Sequence, residues 1–521
     1  MSLRLLQATS VVGFNTLLSR VLGLVRDIAF AGFLGAGGGP LMDAFLVAFK
    51  IPNFLRRLFA EGSFSQAFVP VLTEYRVKHG EAATDELISR TAGTLAGVLG
   101  LIVLIGSLAA PLLVYLFAPG FQADGTRFEL AAAMLRITFP YLLFISLTAL
   151  AGSVLNTYGR FAVPAFTPVL LNVVNIISVA WIAPTAADPS LVLAGGVFVA
   201  GIVQLAFQLP FLRAIGHLPW PRWGWGHAGV QRILALMLPS LFGSSVMQIS
   251  LLLDTVLASL MVVGSVSWLY YADRLMEFPL GVFGIALATV VLPALSQRHA
   301  EADPAAFQRT LDWALRIACL IGLPASVGLL LLSGPMLATL FQYGAFTARD
   351  VEMARFALMP YAVGMFGFTL VKILAPAFFA RQDTRTPVRI GFVALGVSLS
   401  INLLVVLPWT LGGGGAPHAG LAAATSLGAL VNAVLLYRAL RASGAYAPAP
   451  GWRAFWTRLV IANGAMAAVL VWLAGDLPRW LAWSASGRLL NLTLCIASGA
   501  AVYAATLWLV GLRPAALRGP V

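Results

Sequence analysis

Two apolar segments near the start of the chain carry charged side chains. Arg20, Arg26 and Asp27, with Ser19 beside them, interrupt the apolar run 11–31. A longer polar set follows in the next apolar segment: Asp43, Lys50, Asn53, Arg56, Arg57 and Glu61. A charged side chain at the centre of a bilayer costs about 2.5–3.5 kcal/mol on insertion scales, so such groups must face protein or trapped water. Because the surplus is positive, the pattern predicts a site for an anionic substrate inside the membrane.

A second cluster lies in the apolar segment 268–295. It consists of Asp273, Arg274 and Glu277, and the last two are spaced to share one face of a helix. An arginine guanidinium can bind two phosphate oxygens at once, so this residue type suits a phosphate-bearing substrate. If the two halves of the chain face each other, arginines from both clusters would line one basic chamber.

Structural ion pairs are the alternative interpretation of these charges. The groups that could neutralise one another are Arg26 with Asp27, Arg57 with Glu61, and Arg274 with Asp273 and Glu277. Arg56 and Glu61 could instead extend to a membrane surface. Pairing accounts for individual residues, but it does not account for the surplus of arginine in the first two segments.

A lone acid, Asp254, lies in the apolar stretch ISLLLDTVLASL. Together with the polar residues Asn402 and Thr425, it could hold a coupling sodium ion or proton. A hard cation prefers more oxygen ligands than this set offers. A hydrogen-bonded structural acid is the alternative, and Asp254 stays open between the two.

The composition is typical of a polytopic membrane protein. The 521 residues are 60% hydrophobic and 10% charged, whereas soluble proteins average about 25% charged residues. The net charge of +13 does not require a nucleic-acid partner, because basic residues collect in the cytoplasmic loops of membrane proteins. The two cysteines lie in apolar segments, so we expect neither a disulfide framework nor a metal cluster.

Apolar runs separated by polar or Gly/Pro-rich loops predict fourteen transmembrane helices. They cover residues 11–31, 41–68, 91–117, 128–153, 163–183, 191–212, 233–262, 268–295, 311–333, 352–379, 388–410, 418–438, 457–475 and 489–511. With the amino terminus in the cytoplasm, few basic residues fall in the outer loops, namely Arg127, Arg349, Arg479 and Arg488. The positive-inside rule therefore predicts that both termini are cytoplasmic.

The chain also resembles itself. Pro70, Pro111, Pro140–Tyr141 and Pro164 recur 220–224 residues later in the following counterparts: Pro293, Pro335, Pro360–Tyr361 and Pro387. Chance similarity between apolar segments is the alternative. A true duplication predicts two parallel six-helix lobes around a central cavity, residues 1–222 and 223–445, with two additional helices in residues 446–521.

Signals of catalysis are weak. The sequence contains no Gly-Lys pair and therefore no Walker A loop. Its five histidines lack the spacing of a metal site. The glycines of residues 32–40 join two apolar helices without a strand, which argues against dinucleotide binding. We therefore expect a transporter without catalytic residues, bound metal or cofactor, and not an enzyme.

Three long stretches closely resemble the MurJ/MviN lipid II flippases of the multidrug/oligosaccharidyl-lipid/polysaccharide exporter superfamily. They are SRVLGLVRDIAFAGFLGAG at 19–37, DAFLVAFKIPNFLRRLFAEGSFSQAFVP at 43–70, and SVSWLYYADRLMEFPLGVFGIALATVVLP at 265–293. The resemblance implies a protein of the bacterial inner membrane that moves the undecaprenyl-pyrophosphate-linked peptidoglycan precursor from the cytoplasmic to the periplasmic leaflet. It also implies that the two additional helices form a groove for the polyprenyl tail.

The resemblance places cavity charges and their neighbours on specific residues. They are Ser19, Arg20, Arg26, Asp27, Asp43, Asn53, Arg56, Arg57, Glu61, Asp273, Arg274 and Glu277. The arginines would hold the pyrophosphate in an alternating-access cycle coupled to sodium, protons or the membrane potential. Val406 offers no second acid near Asp254, which weakens the sodium option.

Two other functions remain open at this point. One is export of a different polyprenyl-linked oligosaccharide. The other is polymerisation of a membrane-bound glycan, for which we would expect a sizeable outer loop with acids placed for acid–base chemistry. Expected partners are the lipid-linked precursor, membrane lipids and other cell-wall synthesis proteins, with no nucleic acid.

Overall fold

The computed structural model describes residues 3–59, 63–281 and 285–512, and the regular structure in these ranges is helical. Two compact units follow one another along the chain, up to Val266 and from Ser267 onward. The helices of the first unit are α1 (Leu3–Leu34), α2 (Leu41–Phe59), α3 (Ser63–Lys78), α4 (Gly80–Leu108), α5 (Ala110–Phe117), α6 (Gly125–Thr138), α7 (Tyr141–Thr157), α8 (Ala162–Ile177), α9 (Pro189–Ala214) and α10 (Ala228–Ser259).

The regular structure described in the second unit is also helical. Its helices are α11 (Ser265–Pro279, which begins two residues before the boundary), α12 (Ile285–Ala300), α13 (Pro304–Leu331), α14 (Ser333–Phe341), α15 (Ala348–Phe379), α16 (Arg385–Ile401), α17 (Leu407–Leu411), α18 (His418–Ala442), α19 (Trp452–Ala474), α20 (Leu477–Ala482) and α21 (Ala485–Leu509). Short polar side chains begin several of them. Asp188 and Asp303 accept from the first backbone amides of α9 and α13, and Thr347 forms a capping box with Asp350 at α15.

Among the described residues, ten helical segments are long and apolar enough to cross a membrane. They are Gly80–Leu108, Gly125–Thr157, Ala162–Thr185, Pro189–Ala214, Pro304–Leu331, Ala348–Phe379, Arg385–Leu411, His418–Ala442, Trp452–Ala474 and Ala485–Leu509. Each overlaps a predicted span, although Gly80–Leu108 begins eleven residues before the predicted span 91–117, whose last part forms α5. The predicted all-α, multi-pass membrane architecture is confirmed. The four other predicted spans, 11–31, 41–68, 233–262 and 268–295, fall on α1, α2–α3, α10 and α11–α12. The count of fourteen stays a prediction.

Small residues let the helices of each unit approach closely. In the second unit, a Cβ atom at Gly364 of α15 would lie 2.4 Å from the Ser426 hydroxyl on α18. Close packing of this kind drives helix association in lipid, where burial of apolar surface contributes little. Cys319 and Leu320 of α13 pack with Phe455 of α19 and Leu507 of α21, which attaches the last helices to this unit.

Backbone irregularities recur close to the spacing expected for a duplication, at 222–224 residues for three pairs and 228 for the fourth. Two π-helical turns, Ser178–Ile182 and Asn402–Val406, begin 224 residues apart. Three turns with positive φ also recur as pairs: Gly80 (81°) and Ala302 (52°), Gly159 (74°) and Gln382 (60°), and Gly216 (82°) and Gly444 (69°). These pairs support two copies of one helical pattern. The division at residues 222 and 445, and the placement of a cavity between lobes, stay predictions.

Candidate substrate-binding site

A buried polar network joins the middle of α1 to α8. Arg26 donates from Nη2 and Nε to Asp27 Oδ1 at 2.7 and 3.0 Å, and from Nη1 to Asn172 Oδ1 at 3.2 Å. The Asn172 amide in turn donates to the Ser19 carbonyl at 2.9 Å. Arg26 and Asp27 are only 6% and 2% exposed. Because a buried charge is costly without such partners, this pair holds α1 against α8 in the conformation described.

Arg20 and Arg57 have different surroundings. Both side chains are half-buried, Arg20 on α1 and Arg57 in the last turn of α2. Within the described parts of the chain, neither guanidinium forms a hydrogen bond or an ion pair. Each therefore keeps its N–H donors available at the positions where the sequence predicts an anionic group to bind.

Two neighbours of Arg57 complete the predicted set on α2. Arg56 is half-buried and donates from Nε to Asn53 Oδ1 at 2.7 Å, one turn earlier on the helix. Glu61 lies outside the described residues, so its predicted pairing with Arg57 stays a prediction. The described end of α2 is therefore positively charged, with one arginine oriented by an amide beside it.

Asp43 is an acid with structural contacts at the start of α2. Its side chain is fully buried, and Oδ2 accepts from the Gly264 backbone amide at 2.8 Å. Arg127 Nη1 lies 3.7 Å from the same oxygen, while Arg127 Nε donates to Asp124 at 2.8 Å. Asp43 thus anchors α2 to the turn after α10 and to α6, and its charge is compensated within the protein.

Further polar contacts join α2 and the turn after α5 to α10. Lys50 Nζ donates to Thr255 Oγ1 at 3.3 Å, and the Gly120 amide donates to Ser259 Oγ at 3.1 Å. A Cβ atom at Gly120 would lie 2.0 Å from the Ser259 carbonyl oxygen, so the turn requires glycine for this approach. These contacts, like those of Asp43, lie within the first unit.

The predicted cluster of the second unit lies on α11. Arg274 Nη1 donates to Glu277 Oε2 at 2.9 Å, and its guanidinium lies 4.9 Å from the centre of the Tyr270 ring. The two side chains are 32% and 44% exposed, and Asp273 is half-buried beside them. This degree of exposure leaves the pair accessible to a ligand. A shared chamber with the arginines of α1 and α2 stays a prediction.

The predicted coupling-ion residues are divided between the units. Asp254 is half-buried on α10 of the first unit, whereas Asn402 and Thr425 belong to the second. Asn402 is buried at the start of a π-helical turn, a feature that is frequent at functional sites. No group of three or more His, Cys, Asp or Glu residues in the described chain is arranged to hold a metal. The ion site stays a prediction.

Asp312 is a charged residue that the sequence analysis did not single out. It is 6% exposed on α13, and its Oδ1 accepts from Tyr446 Oη, Trp452 Nε1 and the Ala449 amide at 2.7, 2.7 and 3.1 Å. Arg316 Nε donates to Oδ2 at 2.8 Å. Burial, and secondly the bond to Asp312, raise the pKa of the Tyr446 phenol, so it remains a donor. The carboxylate is saturated, and it fixes the connection that leads into α19.

Arg488 has a similar role at the start of α21. It is 7% exposed and donates from Nη1 to the carbonyls of Ala338 and Gln342, at 3.0 and 3.1 Å. Its Nη2 donates to the Leu481 carbonyl at 3.1 Å. A cation at the carboxyl end of α14 is stabilised by the helix dipole as well as by these bonds. Sequence reasoning placed Arg488 in an outer loop and missed this contact.

Asn172 is the other residue that sequence reasoning missed. Two asparagines, Asn172 and Asn175, interrupt the apolar run of α8, and both are buried. Polar side chains in a membrane helix usually bond to a neighbouring helix, so the pattern could have indicated a contact. It could not have identified Arg26 as the partner, because 146 residues separate the two.

Comparisons with known proteins agree with the residue pattern. The family model "Lipid II flippase MurJ" matches residues 30–489. A probable lipid II flippase MurJ of Vibrio cholerae is 47% identical over 519 residues, covering 98% of this chain and 97% of that protein. The lipid II flippase MurJ of Burkholderia cenocepacia is 42% identical over 522 residues, covering 99% of each.

Solved structures extend the similarity to the fold. A structure of lipid II flippase MurJ in an inward closed conformation is similar at a TM-score of 0.79 and 25% identity, covering 95% of this chain and 97% of that one. An inward-facing multidrug resistance MATE family transporter of the MOP superfamily reaches a TM-score of 0.62 at 15% identity. The match covers 82% of this chain and 95% of that transporter, and at this identity it shows only that the two proteins share a fold.

Proposed function

The chain belongs to the lipid II flippase MurJ family, and from this premise we propose that it moves lipid II across the bacterial inner membrane. Lipid II is the undecaprenyl-pyrophosphate-linked peptidoglycan precursor, and the transfer runs from the cytoplasmic to the periplasmic leaflet. The protein is a multi-pass membrane transporter and not an enzyme. Both of its termini lie in the cytoplasm in this proposal.

The observation that carries the proposal is the state of Arg20 and Arg57. Both are half-buried on helices at predicted spans, and neither has a protein partner among the residues described. A pyrophosphate offers oxygens on two adjacent phosphorus atoms, which match the planar N–H forks of arginine. The accessible Arg274–Glu277 pair on α11 would add contacts to the same headgroup.

The proposed mechanism is alternating access. A chamber open to the cytoplasm captures the headgroup while the polyprenyl tail remains in lipid, along a groove formed by α19 and α21. Bound pyrophosphate offsets the repulsion among the arginines and allows closure behind it. Single polar contacts such as Asp43–Gly264 and Lys50–Thr255 hold helices of the first unit together in the described state. Opening to the periplasm would exchange contacts of this kind.

The driving force in this proposal acts on charges inside the membrane. The membrane potential is worth about 2.3 kcal/mol per elementary charge and 100 mV, which is enough to bias a basic chamber. A sodium ion or proton at Asp254, Asn402 and Thr425 is the other source that we propose. The chain would act beside other cell-wall synthesis proteins, and its transport requires no bound cofactor.

Leaflet location of the precursor tests the function. Cells are depleted of the protein, and an enzyme that cleaves lipid II is added from outside. We expect the precursor pool to grow and to become protected, and wild-type protein to restore cleavage. Arg57→Gln should not restore it. Arg309→Gln, which removes an exposed arginine from α13, is the matched control and should restore cleavage fully.

Two results would contradict the proposal. A pool that stays accessible in depleted cells means that flipping proceeds without this protein. Restoration by Arg57→Gln and wild type to the same extent means that the arginine does not hold the headgroup. Membrane abundance of each variant is measured in parallel, so that failure to insert is separated from failure to transport.

A further inference from the structure

A cavity of about 250 Å³ lies inside the second unit, away from the predicted chamber residues. It forms where the turns after α12, α15 and α18 meet the start of α13. Its lining includes Arg298, His299, Asp303, Phe307, Arg381 and Gly444. In the predicted orientation, this end of the helices faces the cytoplasm. The volume equals that of about eight water molecules at roughly 30 Å³ each, which is enough for a phosphate group with some of its water.

The two arginines of the cavity retain most of their donors. Arg298 uses Nη1 for Glu301 at 3.0 Å, and Arg381 uses Nη1 for the Ser443 hydroxyl at 3.2 Å. Each guanidinium has five N–H groups, so several remain on both. Glu301 also accepts from Gln297 Nε2 at 2.9 Å.

The only acid in the cavity lining is partly committed elsewhere in the described structure. Asp303 Oδ1 accepts from the Ala306 amide at 2.9 Å and so caps α13. The 28-residue helix that begins there adds the positive end of its dipole to the same wall. Two arginines, an exposed histidine and a helix start therefore outweigh one carboxylate.

The matching place in the first unit has different contacts. We call the region around the turns at Gly80, Gly159 and Gly216 the first-unit corner, and that around Ala302, Gln382 and Gly444 the second-unit corner. In the first-unit corner, the residue after Gly216 is His217, which is 5% exposed and bonded to carboxylates of α4.

Those carboxylates and an aromatic ring contact His217 in the first-unit corner. His217 contacts Asp85 through Nδ1 and Glu81 through Nε2, and its ring lies 4.3 Å from that of Tyr158. In the second-unit corner, Ala445 follows Gly444, and Gln308 donates to the Gly444 carbonyl at 3.4 Å. The similar turns therefore hold a histidine–carboxylate cluster, with Arg76 over the Tyr158 ring, in the first unit and a cavity lined by two arginines in the second.

We propose that the second-unit corner binds a phosphate group through Arg298 and Arg381. The group belongs either to a soluble phosphate compound or to the headgroup of a lipid at the same membrane surface. Both sources present the tetrahedral oxyanion that an arginine pair at a helix start recognises. The site is separate from the proposed transport site, and it stands whatever substrate the chain moves.

A titration with inorganic pyrophosphate tests the site. The protein carries Arg57→Gln, which weakens binding at the transport site, and it is held in nanodiscs of zwitterionic lipid. We expect saturable binding, weakened about tenfold or more by Arg298→Gln and by Arg381→Gln, since each removes a charge-assisted bond. Arg309→Gln removes an arginine from the same helix end without touching the cavity, and it should leave the affinity within about twofold.

The source of the phosphate is read from lipids that copurify with the protein. Enrichment of phosphate-monoester lipids with wild type, lost in Arg298→Gln and Arg381→Gln, assigns the headgroup as occupant. Equal lipid profiles with intact pyrophosphate binding assign a soluble compound. Ala445→Phe, which keeps both arginines and fills the cavity, should abolish binding even if an arginine variant fails to fold.

Three outcomes overturn the proposal: no saturable binding by the Arg57→Gln parent, equal weakening by Arg309→Gln, or undiminished binding in Ala445→Phe. The thermal midpoint of every variant without pyrophosphate is the control for folding.

Discussion

The first unit contains arginines on predicted membrane helices that have no partner among the described residues, whereas the second contains buried charges held by several hydrogen bonds each. Arg20 and Arg57 are half-buried with no partner in the described structure. Asp312 receives four hydrogen bonds from side chains and backbone. Arg488 donates three bonds to carbonyls at helix ends. Charged residues on membrane helices therefore have two different roles. Some stabilise the fold through protein partners, and others remain available to bind a ligand.

Partner saturation, more than burial, separates these two roles. Removing a saturated group leaves several donors or acceptors unsatisfied in a low-dielectric interior, which destabilises the folded state. Removing an available group leaves nothing unsatisfied, and it relieves repulsion between like charges. The first kind of change should reduce stability and the second should reduce transport alone.

The largest effect that we expect is from Asp312→Ala. It would leave Tyr446, Trp452 and the Ala449 amide without an acceptor and Arg316 without its counter-charge. The free energy of unfolding should fall by about 3 kcal/mol, and the thermal midpoint of the purified protein should fall with it. Hydrogen exchange should increase first in α19. Glu352→Ala, which removes an exposed acid from α15, should leave the free energy of unfolding and the thermal midpoint unchanged. An equal loss of stability in this control would mean that hydrogen-bonded and exposed acids do not differ in their role.

Arg57→Ala should act on transport and not on stability. Loss of a charge-assisted bond to the headgroup costs about 1.5–3 kcal/mol, or roughly a 10- to 150-fold loss of transport rate at low substrate. The thermal midpoint should stay at the wild-type value because no partner among the described residues is lost. Arg57→Lys should recover only part of the rate, since an ammonium lacks the planar fork. A clear drop in the thermal midpoint would mean that Arg57, like Asp312, stabilises the fold.

Asn172→Ala tests a residue whose expected role is intermediate between those of Asp312 and Arg57. It removes the acceptor of Arg26 Nη1 and the donor to the Ser19 carbonyl, but the Arg26–Asp27 pair remains. We expect a loss of about 1–2 kcal/mol in the free energy of unfolding, with weaker protection of α1 in hydrogen exchange. Asn175→Ala on the same helix is the control, since among the described residues the Asn175 amide donates to the Leu171 carbonyl, one turn away on α8 itself. Similar loosening of α1 in both variants would mean that Arg26 does not depend on α8.

The smallest effect should come from an exposed ion pair. Glu74 lies near the end of α3, where hydrogen bonds from Lys78 and Arg232 lower its pKa. A lowered pKa adds stability above the unfolded-state value, and this is lost as pH falls through the folded value. Because Lys78 and Arg232 are exposed and their charges are screened, Glu74→Gln should lower the thermal midpoint at neutral pH only slightly, and added salt should reduce this difference further. A fall as large as that of Asn172→Ala would show that surface pairs also hold the first unit together.

Much of the architecture was predictable from the sequence. The ten helical segments long and apolar enough to span overlap predicted spans, because about 20 consecutive apolar residues are themselves the requirement for crossing a bilayer. The duplicated prolines agree with recurring π-helical and positive-φ turns. The positions of the charges in α1, α2 and α11 were also visible, since charge in an apolar run is a local property.

The partners of those charges could not be predicted. Arg26 and Asp43 are charged residues in predicted spans, as Arg20 and Arg57 are. The neighbouring sequence does not show which of these four residues have protein partners. Asp43 bonds to Gly264, 221 residues away, and such contacts depend on how helices pack and not on their sequence periodicity. The hydrogen bonds of Asp312 to residues more than 130 positions later are of the same kind.

The sequence by itself determined the membrane class, the positions of most helices and the surplus of positive charge on the first two. These follow from hydropathy and charge along short segments, which no packing can reverse. Only the tertiary structure decided which charges are consumed, as in Arg26 with Asn172, and which remain available. That division arises because hydrogen-bond partners and exclusion of water are properties of neighbours in space, and those neighbours are supplied by distant parts of the chain.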